Sequence, residues 1–327
     1  MERLAIEPEI FAYDSELDDR ESHDEFESDE FWSASATLRH GAKPEWSEDE
    51  LQYSIIVSPT SPGDDRFRIP ARSKKPTTLL FPFSTICLLE RHSPSGAVSR
   101  VTGTLIAPQV VLTARHCLTT PTGGKRFTKI VVSPGADLSA ATAKHRRPAS
   151  PASISATHER FRIDGALDYG VIILPAAFKT PNRFMLLQPR GAERTATLLT
   201  IAGYPCDKPH GTMWGHSGKI PLTGVSATHL RYTIDTCPGH SGSPIWLLGN
   251  AGIRLLLGVH TAGPAGCDND PKGTRCLPTG APVTPVKGTN SGVRVTCAVI
   301  DNILKWCKEF KVSAPAIDRK VYQRVCK

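Results

Sequence analysis

The chain has 327 residues, 39% of them hydrophobic, with 39 Lys/Arg against 32 Asp/Glu. This is enough apolar material for a substantial core, and the lack of any apolar run of 18 residues excludes a membrane-spanning helix. The charge is uneven: residues 1–50 hold 17 Asp/Glu against 4 Lys/Arg, and the remaining 277 residues hold 15 against 35.

In chain order, residues 1–53 come first as an acidic, disordered segment. Their run DDRESHDEFESDE shows no hydrophobic period that could build a core. Such a segment is either a plain solvated tail or a prosegment drawn electrostatically to a basic domain. Its first 30 residues contain no apolar h-region, so no secretory signal is visible. The basic remainder scatters its Lys and Arg without interleaved aromatics, so neither nucleic acid nor a membrane is an expected partner.

From SIIVSPTSPGDDRFRI onward the composition changes. Short apolar runs alternate with Gly, Pro, Ser and Thr: TTLLFPFSTICLLE, GTLIAPQVVLTA, KIVVSPG, YGVIILP, ATLLTIAGYP, HLRYTID, SPIWLLG and IRLLLGVHTAG. Short, evenly punctuated runs rich in Val, Ile, Leu and Thr predict an all-β antiparallel sandwich or barrel. One segment reads as a helix. TCAVIDNILKWCKEF places Val299, Ile300, Ile303, Leu304 and Trp306 at three-to-four spacing, which predicts a helix over about 297–310. Residues 311–327 follow as a tail.

The chain has nine cysteines and no CxxC pair. That disfavours a zinc site and points instead to disulfides in an oxidising compartment, with an odd thiol left over. No metal and no cofactor are expected.

Three segments carry candidate chemistry. LTARHCL places His116 just after the apolar run VVLT, LDYGVIIL places Asp168 just before another, and PGHSGSP places Ser241 in a turn flanked by glycines. Taken singly, each has a plainer reading: a packed histidine, a turn-forming aspartate, a chance GxSG. Together they hold what acyl transfer needs. A serine hydroxyl attacks only when a base takes its proton. A histidine titrates near neutral pH, and a carboxylate behind it fixes its tautomer. A glycine-bearing turn can aim two backbone N–H groups at one developing oxyanion, here those of Gly239 and Ser241. An α/β-hydrolase would instead run Ser, Asp/Glu, His with an elbow GxSxG; residue 243 is Ser and the order is His, Asp, Ser.

LTARHC, DYGVIIL and GHSGSP resemble the signatures of chymotrypsin-like serine proteases. GDDRFRI, GYPCDKPHGTMWGHSGKI, YTIDTCPGHSGSPIW and GVHTAG are similar to the bacterial glutamyl endopeptidase subfamily over roughly residues 54–310. The resemblance implies a chymotrypsin-like double β-barrel with a C-terminal α-helix. Its two six-stranded barrels would span roughly 54–185 and 186–298, with His116 and Asp168 in the first and Ser241 in the second. It implies a monomeric, secreted endopeptidase acting on protein or peptide substrates, made as a zymogen and cut within 53–57.

The same resemblance assigns Thr236 and His260 to the carboxylate of a Glu or Asp side chain, both being hydrogen-bond donors. Thr261 and Gly263 would line the pocket and hold the substrate backbone. It implies a Cys237–Cys267 bridge beside that pocket, and leaves Cys87 as the replacement partner of Cys117. His240 stands where the resemblance places an activation-linked Asp or an amide, so it is not the expected base. Two features depart from the pattern. Arg115 stands where Ala or Gly is usual; pointing into the cleft it would depress the pKa of His116, and pointing outward it would not. Asp235 precedes Thr236 where trypsin keeps the Asp that selects Lys and Arg. Two alternatives therefore stay open: the same chemistry with basic or small specificity, and an inactive protease-fold binding module.

Overall fold

The structure, a computed structural model, describes residues 66–69, 77–119, 127–138, 153–189, 198–219, 224–248, 253–263 and 288–327. The acidic segment 1–53, the interval 53–57, Cys267 and Cys276 lie outside the described residues.

The chain opens with β1 (Phe67–Arg68), then builds β2 (Ile86–His92), β3 (Val98–Ala107), β4 (Val110–Thr113), β5 (Lys129–Pro134), β6 (Ile154–Thr157), β7 (Phe161–Ile163) and β8 (Gly170–Ile173). Strands β2 to β8 form one sheet in the order β6-β5-β2-β3-β4-β8-β7. Two of its inner strands are buried along their whole length. VVLT of β4 and GVII of β8 are wholly buried, which is why they read as continuous apolar runs rather than alternating ones.

The second sheet takes β9 (Leu186–Leu187), β10 (Leu198–Gly203), β11 (Trp214–Lys219), β12 (His229–Tyr232), β13 (Pro244–Leu248), β14 (Arg254–Ala262) and β15 (Asn290–Arg294). Its order is β1-β11-β10-β13-β14-β15-β12, with β9 alongside β14. Together the sheets make the chymotrypsin-like double-barrel fold. Among the described residues they hold seven and eight strands where six each were expected; the two-residue pieces β1 and β9 account for the surplus in the second.

Although β1 precedes the first sheet in sequence, it pairs with β11, Phe67 opposite Gly215. Beside it the wholly buried Arg66 donates from Nη1 to Asp207 Oδ1 at 2.9 Å. A charge taken out of water needs such a partner, and this pair anchors the start of the described chain to the second sheet.

Helix α1 (Cys297–Phe310) begins where Thr296 caps it, its side chain accepting from the Val299 N–H at 3.3 Å. It ends at Lys311 in the left-handed region, φ 54°. Val299, Ile300, Ile303 and Trp306 bury one stripe, as the spacing predicts, and Leu304 is half-buried at its edge. The expected tail is itself partly helical: α2 (Arg319–Cys326) is tied back to α1 by the Cys297–Cys326 disulfide.

The cysteines depart from the implied pairing. Cys87 and Cys117 are both buried thiols, so the bridge expected between them is not formed. Cys87 belongs to β2 opposite Gly103 and Pro134, whereas Cys117 follows β4 beside His116. Cys237 is buried, and its expected partner Cys267 lies outside the described residues. Cys206 is disulfide-bonded. It lies against the nucleophile loop, with its N–H donating to Pro238 O at 2.8 Å, so it brings a bridge to the place where Cys237 was expected to supply one.

Candidate active site

Register brings the first two candidates together. β4 and β8 are antiparallel neighbours with Thr113 opposite Gly170. A residue three after Thr113 and one two before Gly170 therefore meet at the same end of the ladder. The His116 N–H donates to Asp168 Oδ1 at 3.0 Å, and His116 Nδ1 lies 2.8 Å from Asp168 Oδ2. An ionised carboxylate only accepts, so Nδ1 carries the proton and Nε2 presents its lone pair.

Burial raises the Asp168 pKa, but the His116 ring and N–H, with the Arg115 charge, hold it below the usual carboxylate value. Burial lowers the His116 pKa; the Cys117 sulfur and the Asp168 carboxylate raise it by more, leaving it above the ordinary histidine value. Arg115 is engaged with the loop that precedes Asp168. Its Nη1 donates to the carbonyls of Asp164 and Gly165, at 3.2 and 3.1 Å.

Ser241 occupies the turn that leads into β13 and is half-buried. Two glycines shape this turn. Gly239 has φ 97°, and a Cβ there would stand 2.4 Å from Tyr204 O; Gly242 has φ 87°, and a Cβ there would stand 2.0 Å from Thr102 O. Neither position admits a side chain. Among the described residues, the N–H groups of Gly239 and Ser241 donate to no protein acceptor, while those of His240, Gly242 and Ser243 donate to Cys237, His260 and His240 carbonyls. Ser241 Oγ and His116 are not hydrogen-bonded to each other among the described residues, a contact that commonly tightens only with substrate in place.

Thr102 of β3, unnoticed in the sequence, joins the two sheets at this point. Its N–H donates to Ser241 O at 3.0 Å and its Oγ1 donates to Gly239 O at 2.8 Å. The same Oγ1 accepts from the Tyr204 N–H at 2.9 Å, and its carbonyl accepts from Thr113 Oγ1 at 2.8 Å. Thr113 lies three residues before His116, so one residue links the nucleophile turn to the base's strand. Thr102→Val is expected to cost about 1–3 kcal/mol, because it leaves buried partners unsatisfied. Urea unfolding checks the stability change, and kcat is expected to fall with it as the turn loosens.

His240 packs into the framework of the turn. It is 1% exposed, its Nδ1 accepts from the Cys237 N–H at 3.1 Å, and its Nε2 donates to Trp214 O at 3.4 Å.

The expected specificity residues gather at the end of β14 and in the segment between β12 and β13 that leads to Ser241. His260 is buried, with Nδ1 2.6 Å from the Tyr232 hydroxyl. Burial, with the nearby His240 and His116, pushes its pKa down to about 3, so it is neutral in ordinary buffers. Thr236 is buried and its Oγ1 donates to Asn290 Oδ1, while Asn290 Nδ2 donates to Ile234 O. A Cβ on Gly263 would stand 3.3 Å from both Thr236 Oγ1 and Asn290 Oδ1, so these three residues share one wall. Thr261 turns elsewhere, its Oγ1 donating to Ser291 O at 3.2 Å. Asp235 is buried, and its N–H donates to His216 Nδ1 at 2.9 Å. Asn290 had no signal in its sequence neighbourhood; Tyr232 could have been suspected from HLRYTID, four residues before Thr236.

Residues 90–278 match the family described as trypsin. A glutamyl endopeptidase of Bacillus licheniformis is 28% identical over 252 residues, covering 75% of this chain and 67% of that protein. A Bacillus subtilis protein named extracellular metalloprotease is 26% identical over 261 residues, covering 79% of this chain and 72% of that one. Among solved structures, a Glu endopeptidase in complex with MPD superposes with a TM-score of 0.54 at 23% identity, covering 78% of this chain and 99% of that one.

Proposed function

This chain belongs to the trypsin family of serine proteases, and from that premise we propose that Ser241, His116 and Asp168 are its catalytic triad and that it cleaves after Glu or Asp. Its substrates are proteins or peptides. The single observation that carries the triad is the 2.8 Å contact between His116 Nδ1 and Asp168 Oδ2, which leaves Nε2 as the basic nitrogen.

His116 Nε2 takes the proton from Ser241 Oγ as the oxygen adds to the scissile carbonyl carbon. The carbonyl oxygen becomes an oxyanion held by the N–H groups of Gly239 and Ser241. The imidazolium, stabilised by Asp168, passes its proton to the leaving amine, and an acyl-enzyme remains. Water then repeats the sequence: His116 removes its proton, the acyl bond breaks, and Ser241 regains its hydrogen.

The acidic specificity is supported by His260 and Tyr232. When the phenol donates to Nδ1, Nε2 carries the hydrogen and can donate to a carboxylate. Thr236, Gly263 and Asn290 form the neighbouring wall. Labelling the chain with a fluorophosphonate and profiling a peptide library tests both parts. Labelling at Ser241 with cleavage after Glu or Asp is expected. No labelling would sink the enzymatic reading in favour of a binding module, and cleavage after Lys or Arg would hand the pocket to Asp235.

The pH dependence follows from the shifts. A base works only when neutral, and the pKa of His116 stands above the ordinary value of about 6.5. Activity should therefore rise with pH along a limb centred above that value. His260, down at about 3, contributes no second limb in this range. A kcat/KM profile with its acid limb at or below the ordinary histidine value would contradict this.

We also read residues 54–310 as the protease unit and residues 1–53 as a propeptide removed within 53–57, with the mature enzyme secreted and monomeric. N-terminal sequencing of the active form tests the cut.

A further inference from the structure

We propose that Arg115 and Asn302 are positioning residues that hold the loop 164–169 at separate points, one through its carbonyls and one through its side chains, and so keep Asp168 in register with His116. This rests on the reading that Asp168 orients the base.

The loop connects β7 to β8 and is partly exposed, so its own burial does little to hold it. One guanidinium nitrogen of Arg115 donates to two successive carbonyls, Asp164 O at 3.2 Å and Gly165 O at 3.1 Å. Arg115 adjoins His116 in a tight turn, so the element that carries the base also grips the loop that carries the carboxylate.

A second grip comes from α1. Asn302 Nδ2 donates to Asp164 Oδ2 at 3.0 Å and to the Tyr169 hydroxyl at 2.8 Å. The Tyr169 hydroxyl donates to the same Oδ2 at 3.2 Å. The other oxygen, Asp164 Oδ1, accepts from the N–H groups of Ala166 and Leu167 at 2.8 and 2.6 Å, fixing the loop's interior. Asp164 is thus a hub: one oxygen shapes the loop, the other binds it to the helix.

The helix is itself well secured at this point. The Tyr169 and Trp306 rings lie 5.9 Å apart. Arg162 of β7 pairs with Glu309, and its guanidinium lies 4.4 Å from the Phe310 ring centroid. The strand leading into the loop, the loop and the residue leaving it are all referenced to α1. Asp168 therefore inherits its position from a helix near the C-terminus as well as from its own strand. Misplacing a catalytic group by about 1 Å costs on the order of a hundredfold, which sets the scale of what the clamp can govern.

The test uses Arg115→Ala and Asn302→Ala in the full chain, with kcat taken per site titrated by a fluorophosphonate burst. That normalisation removes any loss from misfolded protein. Each variant is expected to lower kcat per site roughly ten- to a hundredfold with KM within about twofold, since only orientation of the base is affected. The acid limb of the pH profile should move down, as His116 loses part of its carboxylate contact. Arg115→Lys should restore part of the rate, because it retains a donor. In an Asp168→Asn background, Arg115→Ala should cost little more, because groups acting through one another are not additive.

Unchanged kcat per site and an unmoved limb in both variants would overturn the proposal. So would a full additional loss in the Asp168→Asn background. If Asp168→Asn alone left the rate intact, the reading beneath the proposal would fail instead.

Discussion

Ser241→Ala is expected to lower kcat by about a millionfold while leaving the protein folded. The size follows from how the group acts. Removing the hydroxyl removes the atom that forms the acyl bond, so the covalent route closes and only substrate positioning and oxyanion stabilisation remain. Stability should change little. The backbone contacts that hold the turn, Ser241 O to the Thr102 N–H and the Gly242 N–H to His260 O, do not involve the hydroxyl. Circular dichroism and a steady-state assay on the same preparation check both halves. A variant retaining more than about a hundredth of the wild-type rate would place the nucleophile elsewhere.

Asp168→Asn should cost about ten-thousandfold in kcat. The amide can offer a hydrogen where the carboxylate could only accept. His116 can then present Nδ1 as acceptor and carry its proton on Nε2, which is the wrong tautomer for a base. The substitution also removes a charge that raises the His116 pKa, so the acid limb of the profile should move to lower pH even as the plateau collapses. The two effects separate on one pH series. A lowered plateau with an unmoved limb would mean that Asp168 orients the ring without setting its charge.

Much of this architecture is legible in short segments. VVLT, GVIIL and PIWLL announce buried strands because nearly all their side chains are apolar, and the helix over Cys297–Phe310 shows its stripe at three-to-four spacing. The harder strands are WGHSGK of β11 and NSGVR of β15. Their residues have weak strand preference, and they become strands because partners on either side complete their ladders. Asn290 was missed for that reason: it matters only because β15 carries it opposite Tyr232 and against Thr236.

The sequence by itself determined the segments with chemical potential: a histidine after one buried strand, an aspartate before another, and a serine between glycines. Those features depend on local backbone preference and hydrophobic runs, which neighbouring residues specify. Only the tertiary structure decided that β4 and β8 are neighbours, which puts His116 against Asp168. It also decided that Arg115 binds the loop 164–169, and that Cys206 brings a bridge to the nucleophile loop. Side-chain direction and cysteine pairing depend on register and on which distant strands close together. One residue of slip turns a strand's side chains to the opposite face, and a disulfide forms only where two Cα atoms come within about 7 Å.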